Sequence, residues 1–323
     1  MGAFAVIAIA CEHKNRMKWG KTKAGTPRLR CKACGKMLTE STELFGGMRI
    51  GMDKAAQIVE LLCEANSVSA TARIARCDIH TVLDLLVYIG EQCKRFMEEQ
   101  IRNVYVADVQ YDEIWQFIFC KARRANERGD FVERGDSYCF TAIERNTKLL
   151  VAWHLGQRND DHTMAFCVKL RNATRGHFHL STDGMTSYPA AVAWNFFGIV
   201  DYGQVIKTFG DNTREDQRKY SPPRIVGIER RAIMGYPERD QTCTSHCERM
   251  NGSIRNFVKR MGRLTYCFSK KWENHEAAMA LFFAHYNWCR KHKSLKGQTP
   301  AMAHGLDADH PWSVRELLEA VTA

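Results

Sequence analysis

The sequence predicts a multidomain chain: a small basic module carrying cysteines, a helical segment, and a larger α/β domain built on a mixed five-stranded sheet. Three observations carry this. A Cys-x-x-Cys pair, Cys31 and Cys34, sits in a run of Lys and Arg without acids. Apolar residues recur with helical spacing between 53 and 100. From about 104 the period changes to two, the spacing of half-buried strands. The boundaries that follow are 1–45, 46–103, 104–295 and a C-terminal tail at 296–323.

Composition narrows the function classes. The chain has 323 residues with 45% hydrophobic content, enough for a sizeable core, and 47 Lys+Arg against 36 Asp+Glu, a net charge of +11. Such a balance points to a polyanionic partner, nucleic acid before an anionic membrane surface. The 13 cysteines are scattered apart from the one close pair, which excludes a disulfide framework and fits a reducing compartment. The apolar run Ala3–Ala10 lacks the basic leading region of a signal peptide. No stretch approaches the ~20 apolar residues of a membrane span. A soluble, cytoplasmic protein without a membrane partner is expected.

In residues 1–45, Cys31-Lys-Ala-Cys34-Gly has the form of a zinc knuckle: two thiolates two residues apart, then a glycine that lets the chain turn back. Cys11 and His13 supply the other half of the expected ligand set, with one residue between them where a tight knuckle prefers two. Residues 14–36 carry nine Lys or Arg and no acid. The expectation is a zinc-ribbon-like module with one structural Zn²⁺, touching DNA backbone; a basic hairpin with stray thiols is the alternative.

Residues 46–103 read as helices. Ile58, Leu61, Leu62 and Ala65 share one face of a helix opened by Asp53. A second segment, Ser69 to Arg76, precedes a long helix with Val82, Leu83, Leu86 and Ile89 on its apolar side. Helix, short turn and helix suggest a helix-turn-helix, and any three-helix bundle shares the pattern. His80, Thr81 and Asp84 are the outward residues of the second helix; none is Lys or Arg.

The third domain opens on Val109, Tyr111, Trp115, Phe117 and Phe119, which alternate along one side of a strand, with Asp112 on the opposite parity. A charge-rich loop (121–136) leads to a hairpin, Ser137–Arg145 and Lys148–Leu155, turning at Asn146-Thr147. A helix over 159–175, a strand Phe178–Asp183 and a helix from about 186 follow. Three antiparallel strands, then helix, strand and helix, is the opening order of a ribonuclease H-like domain. Residues 207–223 read as a loop, Arg224–Arg231 as the fifth strand, and a helix covers about 246–263 with Ser245 as its cap. The aromatic helix 272–292 (Trp272, Phe282, Phe283, Tyr286, Trp288) reads as core packing, with base stacking as the other use of such a face.

Three acids end or open these elements. Asp112 lies on the first strand, Asp183 at the end of the fourth, and Glu248 in the first turn of the later helix, where a capping box with Ser245 is the competing role. Carboxylates converging on a point can hold two Mg²⁺ or Mn²⁺ ions ~3.5–4 Å apart for phosphodiester chemistry. Residues 249–271 contain seven Lys or Arg and no acid, and Asn251, Arg255 and Lys259 repeat on the face of Glu248. A helix headed by one acid and otherwise basic suits a metal at one end and DNA phosphates along the rest; pairing of Arg255 with Glu229 is the alternative. Asp108 and Glu113 are expected to support the site or face solvent. His246, Cys243 and Cys247 are read as ordinary residues.

Asp-Glu-Ile-Trp at 112–115, Ser-Thr-Asp-Gly at 181–184 with Tyr188 after it, and Glu-Arg-Met-Asn-Gly-Ser-Ile-Arg at 248–255 resemble the insertion-sequence-one family of bacterial transposases. The run Arg-Leu-Thr-Tyr-Cys-Phe-Ser-Lys-Lys-Trp-Glu-Asn-His (263–275), His-Tyr-Asn (285–287) and Thr-Pro-Ala-Met-Ala (299–303) extend the resemblance over about residues 50–306. It implies a DDE transposase with a ribonuclease H-like core and Asp112, Asp183 and Glu248 as catalytic metal ligands. Arg255 stands as the basic residue seven positions after the Glu. The partners implied are double-stranded DNA (the terminal inverted repeats of an insertion sequence, and target DNA) and further copies of the chain on that DNA, in the bacterial nucleoid. Cys-x-His in the first half of the zinc module departs from the family pattern. A metal-dependent nuclease without joining activity, and a DNA-binding regulator with an inert catalytic domain, are the alternatives.

Overall fold

The computed structural model describes residues 15–21, 27–39, 45, 48, 50–128, 134–210, 224–306 and 308–323. It divides the chain into two compact units, Met1–Ala55 and Ala56–Ala323.

In the first unit, β1 (Arg16–Lys21), β2 (Pro27–Cys31) and β3 (Met37–Thr39) form an antiparallel sheet in that order. A turn follows β2 at residues 32–34. Gly35 takes φ +73° and its N–H donates to Cys31 O at 2.9 Å. Arg30 stacks over the Trp19 ring. Cys11 and His13, the other expected zinc ligands, lie outside the described residues.

Helix α1 (Met52–Cys63) runs through the division between the units, and α2 (Val68–Ala75) and α3 (Ile79–Gln100) follow in the second. Asp53 is a helical residue of α1 rather than its cap. Ser67 caps α2 by accepting from Ala70 N, Arg76 closes it in the left-handed conformation, and Asp78 caps α3 by accepting from His80 N. The turn between α2 and α3 is therefore short and specified at both ends. His80 and Asp84 are exposed, and Thr81 is half-buried.

Among the described residues the main sheet holds six strands, one more than the sequence predicts. β4 (Val104–Tyr105) pairs separately with β8 (Thr174–Arg175). β5 (Asp108–Ile118), β6 (Gly135–Glu144) and β7 (Leu150–Gly156) form the antiparallel meander, while β9 (Phe178–Asp183) joins β5 in parallel and β10 (Val200–Phe209) joins β9 in parallel. β11 (Ile225–Met234) is the antiparallel edge strand. The strand missed in the sequence is β10. Ile206 to Phe209 are partly or wholly exposed, and Lys207, Thr208 and the following polar run break the apolar alternation that marks a strand.

α4 (Ala122–Arg128) occupies part of the expected loop after β5. One face of the sheet is covered by α5 (Asp160–Ala173) and α6 (Tyr188–Phe196): Tyr111 meets Phe166 and Tyr188 edge-on, and Phe140 packs on Phe166. The other face is covered by α7 (Ser245–Phe257) and α8 (Trp272–Trp288), with Trp153 against Phe283 and the Asn287 amide bonded to both backbone groups of Leu150. α8 is buried around nearly its whole circumference because α3 covers the side away from the sheet. Phe282, Phe283, Tyr286 and Trp288 are all buried and belong to the core, while Trp272 in the first turn is half-buried. The tail is folded. α9 (Pro300–His304) and α10 (Val314–Thr322) follow, and α10, opened by a Ser313–Glu316 capping box, buries Val314, Leu317, Leu318 and Val321 against α3 and α8. No described helix is long and apolar enough to cross a membrane.

Candidate active site

The sheet register brings the first two acids together. Tyr111 pairs with Thr182 across the parallel β5–β9 ladder, so one residue further on Asp112 and Asp183 lie side by side on one face. That face is the one α7 covers: Cys247 Sγ, buried, donates to Gln110 O, and the N–H of His246 donates to Gln110 Oε1. Gln110 thus pins the first turn of α7 to β5, which places Glu248 at the mouth of the same cleft. Asp112, Asp183, Lys207, Thr244 and Glu248 all line it, in a volume of about 580 Å³. The three acids singled out in the sequence share one cleft.

Their local settings differ. Asp112 accepts from Glu113 N at 2.9 Å and from Asn251 Nδ2 at 3.0 Å. Burial, and then the charges of Glu113, Asp183 and Glu248, push its carboxyl up to about 7. Asp183 accepts from Met185 N at 3.0 Å and faces Arg158 Nη2 at 3.8 Å. Glu248 accepts from Lys207 Nζ and, at 2.9 Å, from Thr244 Oγ1. Thr244, not Ser245, is the cap residue of α7, and no side-chain capping bond forms there. Glu248 is therefore free of the capping-box role that competed with the catalytic one.

The fourth acid is Glu113, which the sequence reading left to support or solvation. Its side chain is 4% exposed, accepts from Arg158 Nε at 2.5 Å and from the Tyr188 hydroxyl, and lies on the aromatic side of β5. Carboxylate oxygens of Asp112, Glu113 and Asp183 all fall within 4.8 Å of one another. Burial and the charge of Asp183 raise Glu113, while Tyr188 and Arg158 oppose the shift. The signal was present in the alternation, since Glu113 shares the parity of Tyr111 and Trp115 and a buried carboxylate needs partners. Those partners come from distant elements, Arg158 before α5 and Tyr188 at the start of α6, and no local pattern names them.

The basic residues after Glu248 separate into groups. α7 ends at Phe257, so Lys259 is not on it but opens a short 3₁₀ turn, Lys259–Met261, with its side chain exposed. Arg255 donates from Nη2 to Trp115 O at 3.1 Å and from Nη1 to Met261 O at 3.0 Å, tying α7 to β5. Glu229 pairs with Arg231, so the expected Glu229–Arg255 alternative is not formed. Arg260 is buried under Ser269 and Asn274 and belongs to the core. Arg249, Lys259, Arg263, Lys270 and Lys271 are exposed. Asp108 supports the far end of β5, where Arg145 Nη1 meets it at 3.0 Å.

The donor set fits a hard divalent cation. All the convergent ligands are carboxylate oxygens, and ligands on opposite sides of an octahedral Mg²⁺ stand roughly 4.2 Å apart. Asn251 Oδ1 adds a buried oxygen without a hydrogen-bond partner among the described residues, on the side chain that holds Asp112. The raised Asp112 registers a crowding of negative charge that a cation would relieve.

No family model matches the chain, and no curated protein matches it. Among solved structures it is similar to a piggyBac transposase seen by cryo-EM in a synaptic complex with hairpin DNA, with a TM-score of 0.35 and 9% identity over 84% of this chain and 70% of that one.

Proposed function

We propose that the protein is a DDE-type DNA transposase that cleaves at the ends of a bacterial insertion sequence and joins the freed 3′-hydroxyls to target DNA. The observation that carries this reading is the placement of Asp112 and Asp183 at neighbouring positions of parallel strands, with Glu248 brought to the same cleft by α7. The strand order around them, three antiparallel strands followed by two parallel ones, supports a ribonuclease H-like core.

Asp112, Asp183 and Glu248, with Glu113 as an added carboxylate, would hold two Mg²⁺ or Mn²⁺ ions, which when bound supply an activated attacking oxygen and charge for the leaving one. Asn251 fixes the Asp112 rotamer, and Arg255 braces the α7–β5 junction. Arg158 holds Glu113 and faces Asp183, which keeps these acids ordered at the strand ends. Exposed Lys259, Arg263, Lys270 and Lys271 would offer DNA phosphates basic contacts, with Arg255 and Asn251 as further DNA-contact residues in this reading. The α2–α3 pair would take the helix-turn-helix part in end recognition. Double-stranded DNA, an oligomer of the chain on it, and a cytoplasmic, nucleoid-associated location belong to the same reading.

Incubating purified protein and Mg²⁺ with labelled DNA flanking its own gene, plus a plasmid, tests the reading. Joined product is the expected result, lost in Asp183→Asn and Glu248→Gln. Cleavage without joining identifies a nuclease, and binding alone a DNA-binding regulator.

For the first unit we propose one Zn²⁺ held by Cys31, Cys34, Cys11 and His13. A module of this size has too little core to fold without such a staple. Elemental analysis should find about one zinc per chain, lost when Cys31 and Cys34 are both replaced by Ser; an unchanged zinc content in that variant excludes these ligands.

A further inference from the structure

Glu248 is held differently from the other acids. Asp112, Glu113 and Asp183 cluster, whereas Glu248 is engaged by Lys207 Nζ and Thr244 Oγ1. Lys207 comes from β10, the strand absent from the sequence reading. Val205 pairs in register with Asp183, and Lys207, two residues on, returns to the same face of the sheet. Its ammonium therefore enters the cleft from the side of Asp183 and reaches across to Glu248 on α7. The Lys207 side chain is 24% exposed and lines the cleft.

The geometry points to Lys207 as a positioning residue that exchanges partners: it holds Glu248 aside until divalent cations enter, then turns to the DNA phosphate. This rests on the phosphodiester-transfer reading of the cleft. An ammonium against a carboxylate competes directly with any metal for that carboxylate. Lysine suits the exchange because it is a point charge on a flexible four-carbon stem with three donors, with no fixed two-pronged geometry to give up. Arg158 does not have that freedom, since its planar guanidinium is already engaged by Glu113 and Asp183. Lys207 lines the same cleft as Asp183, so if released from Glu248 it would stay within reach of a DNA phosphate held there. No bond is made or broken at Lys207. Its contribution is charge placed where negative charge grows.

The test uses the full-length protein and Mn²⁺ titration followed by electron paramagnetic resonance, so the first readout is independent of catalysis. Lys207→Met should tighten Mn²⁺ binding by about tenfold, because an opposing charge has left Glu248. The same variant should slow strand cleavage by roughly 10²-fold and lower the salt dependence of duplex binding by ~0.9 in log–log slope. In a Glu248→Gln background, Lys207→Met should leave Mn²⁺ affinity unchanged. A merely structural lysine predicts unchanged or weaker Mn²⁺ binding in a folded Lys207→Met protein, and that result overturns the proposal. Equal tightening with and without Glu248 also overturns it, since Lys207 would then act through the general field. Should Lys207→Met fail to fold, Lys207→Gln replaces it in the same titration, with the same two overturning results. If Asp112→Asn leaves Mn²⁺ binding intact, the metal-site reading itself falls and this inference with it. If Asp112→Asn abolishes binding while Lys207→Met changes nothing, only the exchange is lost.

Discussion

Asp112→Asn is expected to abolish divalent-cation binding in the cleft and, at pH 8, to make the metal-free protein more stable than the wild type. The two effects have one cause. The Asp112 carboxyl is raised from 3.8 to about 7 by burial and by the charges of Glu113, Asp183 and Glu248. Between about pH 4 and 7 the folded protein holds a proton on Asp112 that the unfolded chain has released, so stability falls as pH rises through that window. Above pH 7 the folded state carries the whole penalty, on the order of 2–4 kcal/mol. Asn has nearly the same shape and no charge, so it removes the penalty at pH 8 and removes nothing at pH 4. Thermal melts of metal-free protein should show Asp112→Asn melting about 5 °C higher at pH 8, with the difference closing as pH falls toward 4. Wild-type Mn²⁺ affinity should rise with pH up to about 7, since the metal needs the deprotonated carboxylate. A variant less stable than wild type at pH 8 would show that Asp112 is a structural anchor and not a strained ligand.

What was legible in the sequence follows from the range of the interactions. Asp112 and Asp183 stood out because each sits in a largely apolar strand where a carboxylate is an anomaly, and strand pairing then puts them side by side. Glu248 was legible as the one acid heading a basic segment. β10 was not, because half of it leaves the core and its exposed residues lose the alternation that marks a strand. Lys207 was lost with it. Glu113 was visible, but its burial was not, because its partners Arg158 and Tyr188 arrive from elements that only the tertiary fold brings near. The basic residues after Glu248 looked like one continuous helical face. The helix stops at Phe257, and Arg260 turns inward, because the chain must bend to place Gln116 against Arg260 O and Ser269 against His275. The tail looked featureless because α9 and α10 are short, although the Ser313–Glu316 spacing is a cap signature that could have been read.

Gly90→Ala should destabilise the protein by about 3 kcal/mol, against the sign expected of a glycine in mid-helix. Gly90 lies within α3, where alanine would ordinarily gain roughly 1 kcal/mol of helix propensity. Here a Cβ at residue 90 would stand 2.4 Å from Ala277 Cα and Cβ and 2.7 Å from Ala277 O, all on α8. Two of those three atoms are backbone, so no rotamer change relieves the clash and the helices must separate. Separation loosens what the crossing organises. Lys94 on α3 pairs with Glu276 beside the contact, and Phe96 packs edge-on against Trp288 further along. α8 is also the helix that carries Phe283 and Asn287 onto the sheet that bears Asp112. The loss should therefore appear as one cooperative transition at lower temperature, with metal affinity of the residual folded protein nearly unchanged. Ala277→Gly added to Gly90→Ala should recover only part of the loss, because the Cα and carbonyl contacts persist when the Ala277 methyl is gone. Calorimetry of the two variants decides it: a Gly90→Ala protein as stable as wild type would mean that α3 and α8 do not cross in backbone contact, and that the helical segment is docked on the α/β core by side chains alone.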